Sequence, residues 1–171
     1  MHTNAPDELL DLVDDEDTII GTKLRSAVYA EHLSNFRVVN VFLINDEGKM
    51  WIPRRTAHKR IFPNCLDMSA SGHVESGETY DFAFAREVQE ELNIDVHTAE
   101  YKIIGKAGPR DGLNAMMQVY EIRSNDVPNF NPQDFTEYFW LTPAALLAQI
   151  EQGDPSKSDL PKLVKIFYGK R

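Results

Sequence analysis

Cysteine is nearly absent. Cys65 is the single one in a chain of 171 residues, so no intrachain disulfide is available, and the five histidines are too scattered for a Cys/His zinc pattern. Basic residues are also scarce, with 18 Lys and Arg against 27 Asp and Glu, giving a formal charge of −9 and a pI near 5.0. That balance argues against a general binder of nucleic-acid polymers or anionic membranes, which carries a basic footprint. It leaves room for a small polyanionic substrate if a metal ion or a local Arg/Lys cluster offsets the repulsion. No apolar run approaches a membrane span, and Met1-His2-Thr3-Asn4-Ala5-Pro6 lacks the basic-then-apolar layout of a signal peptide. Internal repeats and low-complexity tracts are missing too. With 42% apolar side chains, the chain reads as one cytosolic domain over residues 1–171, large enough for a core without staples.

Two short strands are expected at the start, Leu9–Val13 and Thr18–Leu24, around the acidic turn Asp14–Asp17, which reads as solvated. A short helix over Ser26–Leu33, capped by Ser26, completes an extension at residues 1–35. The exposed edge of the hairpin at residues 9–24 is a surface on which a second copy could pair as a homodimer. Val38–Ile44 is almost continuously apolar and predicts a buried strand. Further strands are expected at 49–55, 66–71, 101–106, 115–123 and 135–141. Two closing helices follow at 143–152 and 158–168, the first with Thr142 as N-cap and Pro143 at N1. Strands mixed with a few helices predict an α/β domain with a mixed sheet between helical layers.

Residues Gly72 to Ile94 carry the chemistry. A strand ends near Ser71, two glycines allow a tight turn, and a helix runs from Tyr80 to Leu92 with Thr79 as N-cap and Asp81 near its positive end. At about 100° per residue, counted from Phe82, the residues Phe82, Ala85, Val88 and Leu92 share one arc, which predicts the packed face. Glu87, Glu90 and Glu91 then fall on the far side at i, i+3, i+4 spacing. Three like charges there destabilise a helix unless something neutralises them, and hard oxygen ligands suit Mg²⁺ or Mn²⁺.

The full spacing resembles the Nudix box, G-x5-E-x7-R-E-U-x-E-E-x-G-U with U aliphatic. Gly72, Glu78, Arg86, Glu87, Glu90 and Glu91 occupy fixed positions, and Val88 and Ile94 the aliphatic ones. At roughly one in twenty per fixed position, a chance match in the chain is on the order of 10⁻⁶, so the acidic helix face is not read as mere solvated charge. Asn93 stands where the pattern has Gly, and Asn is the usual second choice for a left-handed residue closing a helix.

The resemblance implies a Nudix-type α/β/α sandwich, with the core at residues 36–171, and a hydrolase acting on nucleoside diphosphates linked to another moiety. It further implies that Glu87, Glu90 and Glu91 bind the metal and serve the chemistry, with the backbone carbonyl of Gly72 completing the shell. Glu78 and Arg86 would hold loop and helix in register, and Arg55 would contact substrate phosphate. Asp134 and Glu137 are candidate bases beyond the box. Leu12-Val13-Asp14 and Ile20-Gly21, ahead of the core, resemble the subgroup related to isopentenyl diphosphate isomerase. That chemistry needs a cysteine where Ser71 stands, a histidine where Phe36-Arg37 stand, and a glutamate within the stretch occupied by Leu113–Met116. A hydrolase is therefore expected, with the isomerase and a non-catalytic nucleotide-sensing module as the alternatives.

Overall fold

The apolar run at residues 38–44 forms the middle of the fold. In the computed structural model, which describes residues 6–169, it becomes β3 (Arg37–Ile44). One side of β3 pairs in parallel with β7 (Met116–Arg123) along its whole length. Its other side pairs antiparallel with β5 (Ala70–His73) through Val38–Val41, and meets β4 (Met50–Arg55) only at Ile44. With β6 (Glu100–Ala107) on β7 and β8 (Phe135–Leu141) on β4, the result is a six-stranded mixed sheet.

Alternation along β3 sorts the core into two layers. Val39, Val41 and Leu43 point to one face, where they meet Val88 and Leu92 of α2 (Tyr80–Leu92). Phe42 and Ile44 point to the other, against Leu146 of α3 (Pro143–Glu151) and Leu160, Leu163 and Val164 of α4 (Asp159–Tyr168). The fold is the expected α/β sandwich.

The strand expected at 66–71 begins later, at Ala70. In the segment before it, isolated backbone bridges and side-chain bonds take the place of a continuous ladder. Ser69 Oγ accepts from Leu43 N–H at 2.8 Å and donates to Trp51 C=O at 2.7 Å, bridging β3 and β4. Leu66 bridges both Arg54 and Ser156, while Asp67 Oδ1 accepts the N–H of Met68 at 2.7 Å.

The hairpin of β1 (Leu9–Val13) and β2 (Ile19–Leu24) docks through bridges from Leu10 to Glu75 and from Leu12 to Phe36. The next helix, α1, covers Arg25–Ala30 and has no side-chain cap at its N-cap residue, Leu24. Ser26, the expected cap, lies inside the first turn and bonds Asp7 instead.

The acidic turn is not simply solvated. Asp14 caps it locally, but Asp17, at φ 64°, turns inward with a side chain only 8% exposed. It accepts from Arg37 Nε at 2.7 Å, Lys106 Nζ at 2.7 Å and Tyr80 Oη at 2.8 Å. Those partners are remote in sequence, so the acidic run alone could not announce them. Burial alone would raise the Asp17 pKa, but the bonds from Lys106, Arg37 and Tyr80 outweigh it and hold the carboxyl below its usual value. Its stabilisation is therefore complete above the unfolded pKa and is lost as pH falls through the folded one. Asp17→Asn should lower unfolding free energy by about 1–3 kcal/mol at pH 7. In urea titrations the deficit should shrink at pH 3, and a deficit independent of pH would contradict this account.

Candidate active site

The site is built on β5, the turn after it and α2. Thr79 Oγ1 caps α2 by accepting from Phe82 N–H at 3.1 Å, and Asn93 closes it in the left-handed conformation at φ 53°. Asn93 thus fills the position where the box has Gly, and its Nδ2 donates to Asn129 C=O at 2.6 Å.

The packed face differs from the expected one. Phe82 is 61% exposed, while Tyr80, Ala83, Phe84, Val88 and Leu92 are buried. The inward arc therefore lies opposite Phe82, and Glu87 and Glu91 sit within it. Phe84 stacks on Tyr120 with centroids 3.9 Å apart, which sets that rotation. Glu87 and Glu91 consequently turn toward β5 rather than away from the core, and Glu90 stays exposed.

Arg86 ties this unit together. Its Nε and Nη2 donate to both oxygens of Glu78 at 2.9 Å, and Nη2 also reaches the His73 carbonyl at 3.1 Å. Glu78 in turn accepts from Glu75 N–H at 2.8 Å. Nη1 donates to Glu87 Oε1 at 2.8 Å and lies 3.6 Å from Glu90 Oε2.

Glu87 lies directly over Gly72. A Cβ at Gly72 would fall 2.1 Å from both Cδ and Oε1 of Glu87, so only glycine admits that carboxylate. Burial, opposed by Arg86 and reinforced by Glu90, pushes the Glu87 pKa up to about 7. Glu91 accepts from Ser71 N–H at 3.2 Å. Its burial, with Glu87, Asp67 and Asp134 nearby, raises its pKa well above the usual carboxylate range.

Arg86 alone serves Glu78, Glu87 and Glu90, and Glu91 has no ion-pair partner among the described residues; carboxylates in such excess suit a hard divalent cation. Glu87, Glu90, Glu91 and the Gly72 carbonyl are the groups that could hold it. Among the described residues no three acidic, His or Cys side chains already converge at ligating distances, since Glu87 and Glu90 face Arg86.

Around this cluster stand groups from distant segments. Asp134 pairs with Lys59 at 2.6 Å and contributes to the field at Glu91. Glu137 is held instead by Arg54 at 2.6 Å. Arg55 donates to Asp67 Oδ2 at 2.7 Å and to the carbonyls of Ile61 and Phe62. Lys106 and Arg110 are engaged by Asp17 and Asp15. His73 bonds Tyr29 Oη at 2.7 Å, and burial beside Arg25, Lys157 and Arg86 pushes its pKa down to about 3, leaving it neutral. Phe135 belongs to the core, and Phe130 and Tyr138 pack on Trp51. The Cys65 thiol donates to Pro63 C=O, and burial raises its pKa. Asp67 and Lys157 carry no spacing signal, because contacts between distant segments bring them here.

Comparison with known proteins gives the family. The NUDIX domain pattern matches residues 34–162. An uncharacterized Nudix hydrolase of Nostoc sp. is 52% identical over 162 residues, covering 94% of this chain and 96% of that protein. The crystal structure of a Deinococcus radiodurans protein superposes with a TM-score of 0.89 at 45% identity, covering 94% of this chain and 99% of that one. An isopentenyl-diphosphate Delta-isomerase of Paenarthrobacter aurescens is 30% identical, over 84% of this chain and 81% of its own. The isomerase likeness is thus the more distant one, and the chain belongs to the NUDIX domain family as an enzyme of the pyrophosphohydrolase type.

Proposed function

We propose that this chain is a Mg²⁺- or Mn²⁺-dependent hydrolase that cleaves the diphosphate linkage of a nucleoside di- or triphosphate, or of a derivative, by attack of water at phosphorus. The observation that carries the reading is the inward carboxylate set beside β5. Glu87 lies over Gly72 and shares Arg86 with Glu78, and Glu91 is held by the Ser71 N–H with no ion-pair partner among the described residues. Glu87, Glu90, Glu91 and the Gly72 carbonyl hold the ion, and when bound it offsets phosphate charge and lowers the pKa of water.

The remaining work falls to the chain. Arg86 and Glu78 fix the loop against the helix, so that the carboxylates keep their positions through turnover. A glutamate of the helix, or Asp134 beside Glu91, takes the proton from the attacking water. Glu137 is the weaker candidate because Asp134, and not Glu137, acts on the charge of Glu91; each is held by a cation at 2.6 Å, Asp134 by Lys59 and Glu137 by Arg54. Arg55, the guanidinium expected to meet a phosphate oxygen, is already bonded to Asp67 and to the Ile61 and Phe62 carbonyls, so any phosphate contact must be made alongside those bonds.

Isomerase chemistry is disfavoured at Ser71, since a hydroxyl is far less acidic and nucleophilic than a thiol at neutral pH. A screen of nucleotides and nucleotide derivatives with Mg²⁺ or Mn²⁺ should release phosphate-containing products, and excess EDTA should abolish it. Isopentenyl diphosphate should give no dimethylallyl isomer. Full turnover in EDTA, or cation-dependent isomerisation, would overturn the proposal, and no turnover on any compound would favour a sensing module.

A further inference from the structure

Lys157 lies on the loop between α3 and α4, far from the box in sequence, yet its ammonium reaches the carboxylate cluster. Its Nζ donates to Ser71 Oγ at 3.2 Å, and the backbone N–H of the same Ser71 donates to Glu91 at 3.2 Å. Its nearest anion is Asp67, at 3.8 Å, beyond hydrogen-bonding distance. Asp67 is already satisfied by Arg55 at 2.7 Å. Arg55 and Lys157 therefore both face Asp67, and because Arg55 makes the hydrogen-bonded pair, the Lys157 ammonium is not committed to a carboxylate.

The loop is held so that this ammonium stays in place. Arg54 grips Asp154 through two parallel bonds of 2.8 and 3.1 Å. The Leu66 N–H donates to Pro155 C=O, and Lys157 N–H donates to Leu66 C=O, both at 2.8 Å. A long, rotamer-rich side chain is thus fixed at its backbone, while 23% of the side chain remains accessible. With three N–H donors and one hydrogen bond made, it has capacity for an anion.

We propose that Lys157 binds a non-bridging phosphate oxygen of the substrate's diphosphate, on the Ser71 side of the Glu87–Glu91 cluster. This rests on the hydrolase reading above and adds to it a substrate contact. The ammonium swings from Ser71 to the phosphate, while Asp67 keeps its pair with Arg55. Arg54 is then a positioning residue for the Lys157 loop.

The test uses the full chain and methylenediphosphonate, a diphosphate that cannot be hydrolysed, titrated calorimetrically in excess Mg²⁺. Lys157→Met should weaken its binding about tenfold or more, and should flatten the dependence of affinity on salt. It should raise KM for whichever nucleotide the wild type hydrolyses, and Lys157→Arg should recover most of the loss. Melting temperatures without ligand should stay close to that of the wild type. If Lys157→Met binds the diphosphonate as well as the wild type, while the wild type turns over nucleotides, this inference fails and the hydrolase reading stands. Lys157→Arg as weak as Lys157→Met, or a melting loss in Lys157→Met that matches its binding loss, would return Lys157 to a structural role. A wild type that neither binds the diphosphonate nor hydrolyses any nucleotide overturns both.

Discussion

Glu91→Gln should lower turnover by about 10²–10³-fold and should raise, not lower, the melting temperature in EDTA. Burial, with Glu87, Asp67 and Asp134 close by, raises the Glu91 pKa in the folded protein, and the Ser71 N–H offsets this only in part. A carboxyl whose folded pKa lies above its unfolded value favours folding when protonated and opposes it when ionised. Stability attached to Glu91 therefore declines as pH rises from the unfolded pKa through the folded one. Glutamine keeps an acceptor for the Ser71 N–H but removes the charge, so at neutral pH the folded state gains at least the few tenths of a kcal/mol of a like-charge helix pair. Thermal melts in EDTA and turnover with Mg²⁺ or Mn²⁺ separate the two effects. Unchanged turnover would reject the catalytic role, and marked unfolding in EDTA would assign Glu91 to the architecture.

Gly72→Ala should reduce turnover nearly as much as Glu87→Gln does, with little change in folding. The added methyl would lie 2.1 Å from the Glu87 carboxylate carbon and 2.6 Å from its Cγ, so that side chain must move. It is the end of a flexible chain rather than backbone, so the fold yields cheaply while the carboxylate loses its place above β5. Because both substitutions act through one carboxylate, the double variant should be hardly slower than either single one. Fully additive losses in kcat/KM would show that Gly72 acts by another route.

The box was legible because its residues are neighbours on one short segment, where Gly72, Glu78, Arg86 and the glutamates keep fixed spacings. The caps at Thr79 and Asn93 were legible for the same reason, since each depends on a residue's own conformational preference. The rotation of α2 was not. The apolar positions fit more than one arc, and the contact that decides between them, Phe84 on Tyr120, joins a helix to a strand far along the chain. Asp17 was hidden in the same way, its partners Arg37 and Lys106 arriving from β3 and β6. Lys157 had no signal in its own neighbourhood, because the sheet and the Arg54–Asp154 clamp bring it to Ser71. Local chemistry could be read from the sequence, whereas the groups that complete the site depend on tertiary contacts.

The most direct measurement of the central claim needs no substrate. Mn²⁺ added to the purified chain and followed by the paramagnetic resonance of the free ion should bind the wild type. Removing one carboxylate from the set should raise Kd by about tenfold or more in Glu91→Gln, with the fold intact by circular dichroism. Equal Mn²⁺ affinity in the two proteins would contradict the assignment of Glu91, and with it the inward carboxylate pair, as the cation-holding centre.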